Sequence, residues 1–205
     1  MSIKTVRHSY YYNLLEDMAV NGTLNESGIG DSDIVLSNAS YWERKSSIGG
    51  MDGWRMKHSY GYSSTCNYTK NHDNLTVSFR SYIGTGSYDL NLFNFKLSND
   101  DAFRIYERGT HTYIKSYDPT TLAWTNTTAL QKKNTWSYLV FVFDRDGTFE
   151  AYQDGTLFYT YDLSGTDLSL TWWSIQQDGW SGGRTSYIRD LGIFGSGIDK
   201  KGIKM

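Results

Sequence analysis

Two Asp-Gly pairs within one short stretch constrain the fold more than any other feature of this sequence. Residues 136–162 are WSYLVFVFDRDGTFEAYQDGTLFYTYD, with the pairs at Asp146-Gly147 and Asp154-Gly155. An Asp-Gly pair between β-branched and aromatic runs favours a two-residue type I′ turn, because both central positions of that turn need a positive φ. The stretch therefore predicts three consecutive antiparallel strands joined by two tight turns.

The first of these predicted strands is apolar on both faces. Such a pattern is typical of a strand that is covered on both sides or that lines a cleft. A three-stranded meander is not stable alone, so the rest of the chain should supply a partner sheet. The alternating residues are Tyr138, Val140 and Val142 on one face, and Leu139, Phe141 and Phe143 on the other.

Short alternating segments elsewhere predict roughly a dozen strands in all and almost no helix. Aromatic residues make up 16% of the chain and there are 20 Gly but one Pro, which favours short strands joined by Gly, Asn and Asp turns. A long polar loop is predicted at 61–73, and the Thr- and Asn-rich residues 120–135 contribute no predicted strand. Strands outside the meander are predicted near 10–15, 31–36, 54–56, 74–82, 91–97, 102–106, 112–117, 168–177 and 187–194.

Composition bounds the class of protein. A chain of 205 residues is an ordinary size for one all-β domain, so we expect residues 1–205 to form a single domain. The net charge of −2 argues against a nucleic-acid partner, which would need a clustered basic surface. The sequence has no run of about 18 apolar residues, so no membrane-spanning segment is predicted. Cys66 is the one cysteine, which excludes an intrachain disulfide.

The first residues bear on where the protein acts. Residues 1–8, MSIKTVRH, lack the apolar core of a signal peptide. We therefore expect a chain that is made in a cytosol and stays there, or that leaves by lysis or within an assembled particle. A virion component, or an extracellular protein without a classical signal peptide, fits this expectation.

Several segments follow one another in an order that carries a family resemblance. A Trp opens a hydrophobic strand, Asp-x-x-Gly follows, and the next strand ends in Tyr-x-Asp-Gly. This order resembles the signature of laminin G-like domains in the concanavalin A-like lectin and glucanase superfamily. Segments 74–82 and 187–194 lie where that family has its first long and its last core strand, and 21–28 is similar to its opening segment. The matching residues of the signature are Trp136, Asp144, Gly147, Tyr152, Asp154 and Gly155.

The resemblance covers most of the chain and implies an all-β, two-sheet antiparallel jelly-roll sandwich. Glucanases of this superfamily use carboxylates spaced Glu-x-Asp-x-x-Glu, where a strand places the first pair on one face. None of the five Glu in this chain has an Asp two residues later. The sequence therefore predicts a protein that is not an enzyme, with no catalytic residues. The Glu positions are Glu16, Glu26, Glu43, Glu107 and Glu150.

No metal site or cofactor is predicted, although a calcium ion is left open. The segment Asp144-Arg-Asp146-Gly147 resembles the start of a calcium loop, but Gly155 stands where the closing Glu would be, so a hairpin turn is favoured. Asp31 with Asp33, or Asp178 with neighbouring carbonyls, are alternative cation ligands, and solvated loops are favoured for both. The four histidines show no metal-ligand spacing.

The best candidate ligand site is aromatic. Trp172 and Trp173 are adjacent on a predicted strand and so face opposite sides, with Trp173 assigned to the core. A flat ring can stack on the apolar side of a sugar while amides and carboxylates hold its hydroxyls. Two alternatives stay open: Trp180 is a loop plug, or the same aromatics anchor another protein. The predicted ligand-binding residues are Trp172, Gln177, Asp178, Trp180, Arg184 and Tyr187.

These observations favour a non-catalytic adhesion module that binds a glycan or a host surface. We expect it to be an oligomer or part of a larger complex with other virion subunits, as in a phage tail fibre, receptor-binding protein or head-decoration protein. The alternative is a purely structural virion subunit that packs against its neighbours and binds no sugar. A glycoside hydrolase is disfavoured. A fold alone does not separate these functions, because one fold hosts many.

Overall fold

The computed structural model of the chain has 15 β-strands and no helix within its described residues. This part of the chain accordingly offers no helix that could cross a membrane. Side chains are described within 44–54, 75–84, 134–144, 147–163 and 187–190. The described residues are 23–24, 34–36, 42–56, 66–68, 74–84, 90–97, 102–108, 111–118, 123–127, 134–144, 147–163, 170–175 and 186–194.

All strand pairings are antiparallel, and the strands form two sheets, which confirms the all-β prediction. In chain order the strands are β1 Thr23–Leu24, β2 Ile34–Leu36, β3 Trp42–Ile48, β4 Met51–Met56, β5 Cys66–Tyr68, β6 Asn74–Ile83, β7 Leu90–Leu97, β8 Ala102–Arg108, β9 His111–Asp118, β10 Ala123–Thr127, β11 Trp136–Asp144, β12 Thr148–Gln153, β13 Thr156–Asp162, β14 Leu170–Ile175 and β15 Ser186–Phe194. One sheet has the order β1-β2-β5-β14-β7-β8-β9-β10, and the other β13-β12-β11-β6-β15-β4-β3.

The predicted meander is confirmed as β11, β12 and β13, and its second turn is the tight one expected. Gln153 pairs with Thr156, so two residues close the hairpin. Those residues, Asp154 and Gly155, have φ of 48° and 78°. Both values are positive, as a type I′ turn requires. The Asp-Gly signal is therefore satisfied in full at this position.

The first turn differs from the prediction of a two-residue loop. The last pair between β11 and β12 is Phe143 with Phe149, which leaves residues 144–148 to make the connection. Asp144 remains paired with Asn74 of β6, so β11 continues past its last partner in β12. The connection is closed by the Gly147 N–H, which donates to the Asp144 carbonyl at 3.1 Å. The neighbouring strand therefore sets this turn rather than the Asp-Gly pair.

The other predicted strands are found where the described residues test them, but two connections were wrong. The predicted polar loop 61–73 contains β5, which pairs with both β2 and β14. The Thr- and Asn-rich stretch contains β10, in which Trp124 pairs with Tyr117 of β9. Neither segment has a strong strand pattern, so pairing with neighbours decides its structure. The segment predicted near 10–15 lies outside the described residues.

One face of the seven-stranded sheet is mainly an apolar layer, with Ser81, Ser137 and Gln153 buried at one end of it. Phe141 lies between Val77 of β6 and Ala151 of β12, and its ring stacks on that of Phe149 at 6.4 Å between centroids. Removing one such side chain from water stabilises the fold by roughly 2–3 kcal/mol. A second layer must cover this face; its packing as a jelly-roll sandwich stays a prediction. Among the side chains that the structure describes, the largest fully buried ones are Phe79, Phe141, Phe143 and Phe149.

The opposite, outer face of the same sheet is divided along its strands. Val140 and Val142 are buried and pack with the half-buried rings of Tyr138 and Tyr152. Residues 139–143 are thus buried on both sides, as their two-sided apolar pattern predicted. Towards the start of β11 the outer face becomes half-exposed, at Tyr138 and Trp136. This half-exposed end is where functional side chains gather.

Candidate functional site

Three neighbouring strands bring two rows of aromatic and arginine side chains to the outer face. Residues directly opposite each other in neighbouring strands share a face, so each row is contiguous across β11, β6 and β15. Asp190 follows directly on β15 and joins them. We call these seven residues the aromatic–arginine patch. Its rows are Tyr138, Arg80 and Arg189, and Trp136, Tyr82 and Tyr187.

Trp136 anchors one end of the patch. Its indole Nε1–H donates to the Ile48 carbonyl at 2.6 Å, which attaches β11 to the hairpin between β3 and β4. The indole ring lies 5.5 Å from the Tyr82 ring at a tilt of 55°. Because its only donor is committed to the backbone, Trp136 forms the floor of the patch and is not a free hydrogen-bonding group.

Two glycines let the neighbouring hairpin approach this floor. A Cβ at Gly53 would lie 2.8 Å from Trp136 Cη2 and 2.9 Å from Tyr187 Cβ. At Gly49, which has a φ of +52°, a Cβ would lie 2.8 Å from Tyr82 Cε2. All three distances are shorter than carbon atoms tolerate. The Tyr187 Cβ is attached directly to the backbone, so it cannot move away. Glycine is therefore required for the aromatic rings to pack as they do.

The structure places one of the six predicted ligand-binding residues in the patch. Tyr187 lies edge-on to Tyr82, with ring centroids 6.1 Å apart, and its exposed fraction is 5%. Trp172 lies in the other sheet, where its backbone pairs with Lys96. The side chains of Trp172, Gln177, Asp178, Trp180 and Arg184 lie outside the described ones, so the predicted set stays a prediction.

The arginine half of the patch is organised around one carboxylate oxygen. Arg189 Nε donates to Asp190 Oδ2 at 3.0 Å, and Arg80 Nε lies 3.4 Å from the same oxygen. The Arg80 guanidinium also lies over the Tyr138 ring, 5.4 Å from its centroid, in a cation–π contact. The side chains of Arg80, Arg189 and Asp190 are 35%, 24% and 42% exposed. These three groups together carry one net positive charge.

A β-bulge creates this arrangement. Arg189 pairs with Arg80 and Gly192 with Ser78, so two residues of β15 occupy the space of one opposite β6. Asp190 has a φ of 53°, in the left-handed region that Asp tolerates better than most residues. In a regular strand, consecutive residues point to opposite faces. The bulge instead allows Arg189 and Asp190 to meet.

This group was not predicted from the sequence. The alternation of residues in the strand predicted at 74–82 does place Arg80 on the face opposite Leu75, Val77 and Phe79. The missing information is the pairing of Arg80 with Arg189, because the two residues are 109 positions apart and only the sheet register brings them together. No local sequence pattern predicts the β-bulge at Asp190.

A second polar group lies at the buried end of the outer face. Glu150 is buried and accepts hydrogen bonds from Thr148 Oγ1 at 3.0 Å and from the Tyr152 hydroxyl at 2.5 Å. Burial, with the carboxylate of Glu150 beside it, raises the pKa of Tyr152 to about 12. Within the described residues, no group of three or more His, Cys, Asp or Glu is arranged to hold a metal ion.

A third polar contact closes the hairpin beside the patch. Arg44 Nη2 lies 2.6 Å from Asp52 Oδ2, and the Ser47 N–H donates to Asp52 Oδ1 at 3.3 Å. The Ser47 N–H first and then Arg44 hold the pKa of Asp52 below its usual value. Both side chains of the ion pair are exposed, so the pair contributes little to stability.

Comparison with known proteins finds similarity in fold alone. No family model and no curated protein matches the chain. The crystal structure of the botulinum neurotoxin serotype G binding domain matches with a TM-score of 0.66 and 13% identity, over 97% of this chain and 50% of that chain. At this identity the similarity shows a shared β-rich fold.

Two further solved structures match comparably. One is the botulinum neurotoxin serotype D ligand-binding domain in complex with N-acetylneuraminic acid, with a TM-score of 0.61 and 12% identity, over 96% of this chain and 49% of that chain. The other is the binding domain of Paraclostridial Mosquitocidal Protein 1, with a TM-score of 0.63 and 8% identity, over 97% of this chain and 51% of that chain. The chain thus spans about half the length of the solved structures that it matches.

Proposed function

We propose that this chain is a non-catalytic module that binds a glycan, and that the aromatic–arginine patch forms part of its binding surface. The observation that carries the proposal is the half-exposed ring of Tyr138 beside two partly exposed guanidinium groups. Sugar sites combine an aromatic surface with a few fixed hydrogen-bond donors. The predicted residues Gln177, Asp178, Trp180 and Arg184 would extend this surface, with Tyr187 as a shared element, whereas Trp172 lies on β14 of the other sheet.

The structural neighbours support a binding role over a catalytic one. They are binding or ligand-binding domains, and one was solved with N-acetylneuraminic acid. That ligand makes sialylated glycans the first probes to try here. The absence of the Glu-x-Asp-x-x-Glu pattern is the second support for a module that is not an enzyme.

We further propose that residues 1–205 form one laminin G-like unit that acts as part of a larger assembly, such as a phage virion, with other subunits as its partners. The support is compositional: the chain has 17 Tyr, 20 Gly and a single Cys, so it relies on a large core and not on disulfide bonds. Electron microscopy of particles labelled with antibodies against this chain would test the assignment. Labelling of no virion in a phage lysate that contains the chain would contradict it.

The glycan-binding proposal is tested on an array that includes sialylated, neutral and cell-wall glycans. We expect Tyr138→Ala and Trp180→Ala to reduce binding about tenfold or more, because each removes a proposed sugar-contacting ring. Leu157→Ala is the matched control: Leu157 is 48% exposed on edge strand β13, which β12 separates from β11, and its removal should leave binding unchanged.

The outcomes separate the alternatives. No binding to any glycan, together with a large buried interface to neighbouring chains in a virion map, would replace the proposal with a purely structural subunit. Measurable hydrolysis of a β-glucan by the purified chain would contradict the non-catalytic assignment. Equal loss of binding in Leu157→Ala would mean that the surface is not the one proposed.

A further inference from the structure

We infer that the bound glycan is acidic and that Arg80 and Arg189 together bind its carboxylate. This inference rests on the proposed function and names the class of sugar. It assigns a charge preference to one end of the aromatic–arginine patch, where the two guanidinium groups converge on Asp190. Arginine is suited to this role, because its planar fork matches a carboxylate with two parallel hydrogen bonds.

The donors that such a ligand needs are left uncommitted. Asp190 meets both arginines at their Nε atoms and through the single oxygen Oδ2. No hydrogen bond from the terminal nitrogens of Arg80 or Arg189 is found within the described part of the chain. Each guanidinium carries four N–H bonds on those nitrogens. A carboxylate can therefore bind at either terminal edge without displacing Asp190.

The two guanidinium groups are also held in position before a ligand arrives. Arg80 is fixed on one side by the Tyr138 ring at 5.4 Å and on another by Asp190 at 3.4 Å. Arg189 is fixed by its 3.0 Å hydrogen bond to Asp190. Immobilising a long side chain at binding normally opposes affinity. Here that ordering is already present in the free protein.

The bulge is an additional sign that this group serves binding. A regular β15 would place one residue opposite Phe79, between the pairs Arg189–Arg80 and Gly192–Ser78, whereas the chain places two there. The hydrophobic layer does not require the extra residue. The backbone of Asp190, one of the two residues, is in a left-handed conformation. This conformation is strained for a residue other than glycine and tends to occur at functional sites. The extra residue brings a carboxylate to the two arginines.

Net charge decides between a neutral and an acidic sugar. Asp190 neutralises one of the two guanidinium charges, so one positive charge remains at the half-exposed surface. A neutral sugar would leave that charge without an anionic partner, whereas a carboxylate completes an alternating set of two cations and two anions. A sugar ring against the exposed part of Tyr138 would have its substituents within reach of Arg80, which contacts the same ring.

Matched sugars test the inference on the full chain. Titration calorimetry compares lactose, a neutral disaccharide, with sialyllactose, which adds one carboxylated sugar to it, and with sulfated lactose, which adds a sulfate group. We expect sialyllactose to bind about tenfold or more tightly than lactose, and more tightly than sulfated lactose, because a planar carboxylate matches the planar guanidinium fork with two parallel hydrogen bonds.

Three arginine substitutions locate the contact. Arg80→Gln and Arg189→Gln should each weaken sialyllactose binding about tenfold, and weaken lactose binding by a clearly smaller factor, because only the acidic sugar loses its charged partner. Arg44→Gln removes the same charge from the exposed ion pair with Asp52 and should change neither affinity more than about twofold. Thermal unfolding midpoints of all variants establish that each one is folded.

Asp190→Asn provides a second, independent variant, because Asn also tolerates the left-handed backbone. Removing the carboxylate should strengthen sialyllactose binding a few-fold, since one competing anion is gone. Asn keeps a side-chain oxygen that can accept the hydrogen bond from Arg189 Nε, so the arginines stay in position. A loss of affinity in Asp190→Asn would therefore mean that the ligand does not compete with the Asp190 carboxylate for the arginines, which overturns the assignment.

The remaining outcomes distinguish this inference from the proposed function. Equal binding of lactose and sialyllactose would overturn the acidic preference and leave the glycan-binding proposal intact. Tighter binding of sulfated lactose would overturn the carboxylate assignment. A loss in Arg44→Gln equal to that in Arg80→Gln would show general electrostatic attraction and not a site. Binding of no sugar at all would remove the proposed function and the inference with it.

Discussion

The two faces of the seven-stranded sheet are built from alternate residues of the same strands, yet they are organised by different physics. On the inner face, Phe79 and Phe141 are buried, and their ring centroids lie 5.8 Å apart. On the outer face, the adjacent residue Arg80 is partly exposed and is held by a ring and a carboxylate. One strand thus supplies both a hydrophobic layer and a recognition surface.

The difference between the faces lies in what each will tolerate. Burial of apolar area is not directional, so the inner face depends mainly on volume and can accept another side chain of similar size. The outer face depends on particular atoms, such as the Nε of Arg189 or the indole N–H of Trp136, and substitutes of similar size do not replace them. We therefore expect stability to follow the inner face and binding to follow the outer face.

The largest expected effect tests the inner face. Phe141→Ala should lower the free energy of unfolding by about 3–5 kcal/mol, because it leaves a cavity in the fully packed layer. Chemical denaturation followed by fluorescence measures the change. Tyr138→Ala, on the other face of the same strand, should lose much less. Similar losses in both variants would contradict the division between the faces.

The second effect tests the close packing beside the aromatic floor. Gly53→Ala should destabilise the protein by about 1–3 kcal/mol, because the new Cβ would lie 2.8 Å from Trp136 and 2.9 Å from Tyr187. Gly50→Ala is the comparison: no atom lies within 4 Å of its Cβ, but its φ is +84°. It isolates backbone strain, of roughly 1–2 kcal/mol. If denaturation curves show a larger loss of stability in Gly50→Ala than in Gly53→Ala, packing is not the constraint at Gly53.

A smaller effect tests whether specific atoms matter on the outer face. Trp136→Phe retains an aromatic ring and removes the N–H that donates to Ile48. The part-buried Ile48 carbonyl then loses a partner, so we expect a loss of about 1 kcal/mol in the free energy of unfolding. Phe141→Leu, a change of similar size on the inner face, is the control for altered volume. A Trp136→Phe variant as stable as the native protein would indicate that the hydrogen bond from Trp136 to Ile48 contributes nothing to stability.

The smallest effect concerns pH at the buried end of the outer face. The pKa of Tyr152 is raised to about 12 from the usual 10.0. Its neutral form is therefore favoured by folding, so this contribution is complete below pH 10 and is lost as pH rises towards 12. Tyr152→Phe should lose less stability than the native protein when unfolding is compared at pH 9 and pH 11. An identical pH dependence in the two proteins would contradict the proposed coupling with Glu150.

Much of the fold was predictable from local signals, and the candidate site was not. The Asp154-Gly155 turn and the alternation of Leu75, Val77 and Phe79 are decided by neighbours in sequence, and both were predicted correctly. β5 and β10 have weak patterns and become strands because partners lie beside them. The arginine group was not predicted for the same reason: it depends on which strands are adjacent and on their register, and neither is visible in the local sequence.

The first hairpin shows the limit of even the strongest local signal. Asp146-Gly147 and Asp154-Gly155 carry the same dipeptide, but five residues separate the last pair of the first hairpin, whereas two residues close the second. β11 has a neighbour, β6, that continues to pair with Asp144, and this pairing shifts the point at which the chain reverses. A dipeptide preference of this kind is outweighed by one additional long-range pair.

The extra residue in β15 has a consequence for how this surface can change over time. Ile188 lies opposite Ser81 and Ile193 opposite Val77, on the same inner face although an odd number of positions separates them. A descendant chain that lost residue 190 would therefore keep every later residue on its present side. Variation in length at this one point can alter what the exterior recognises while the apolar interior stays the same, which leaves ligand preference free to diverge among related chains.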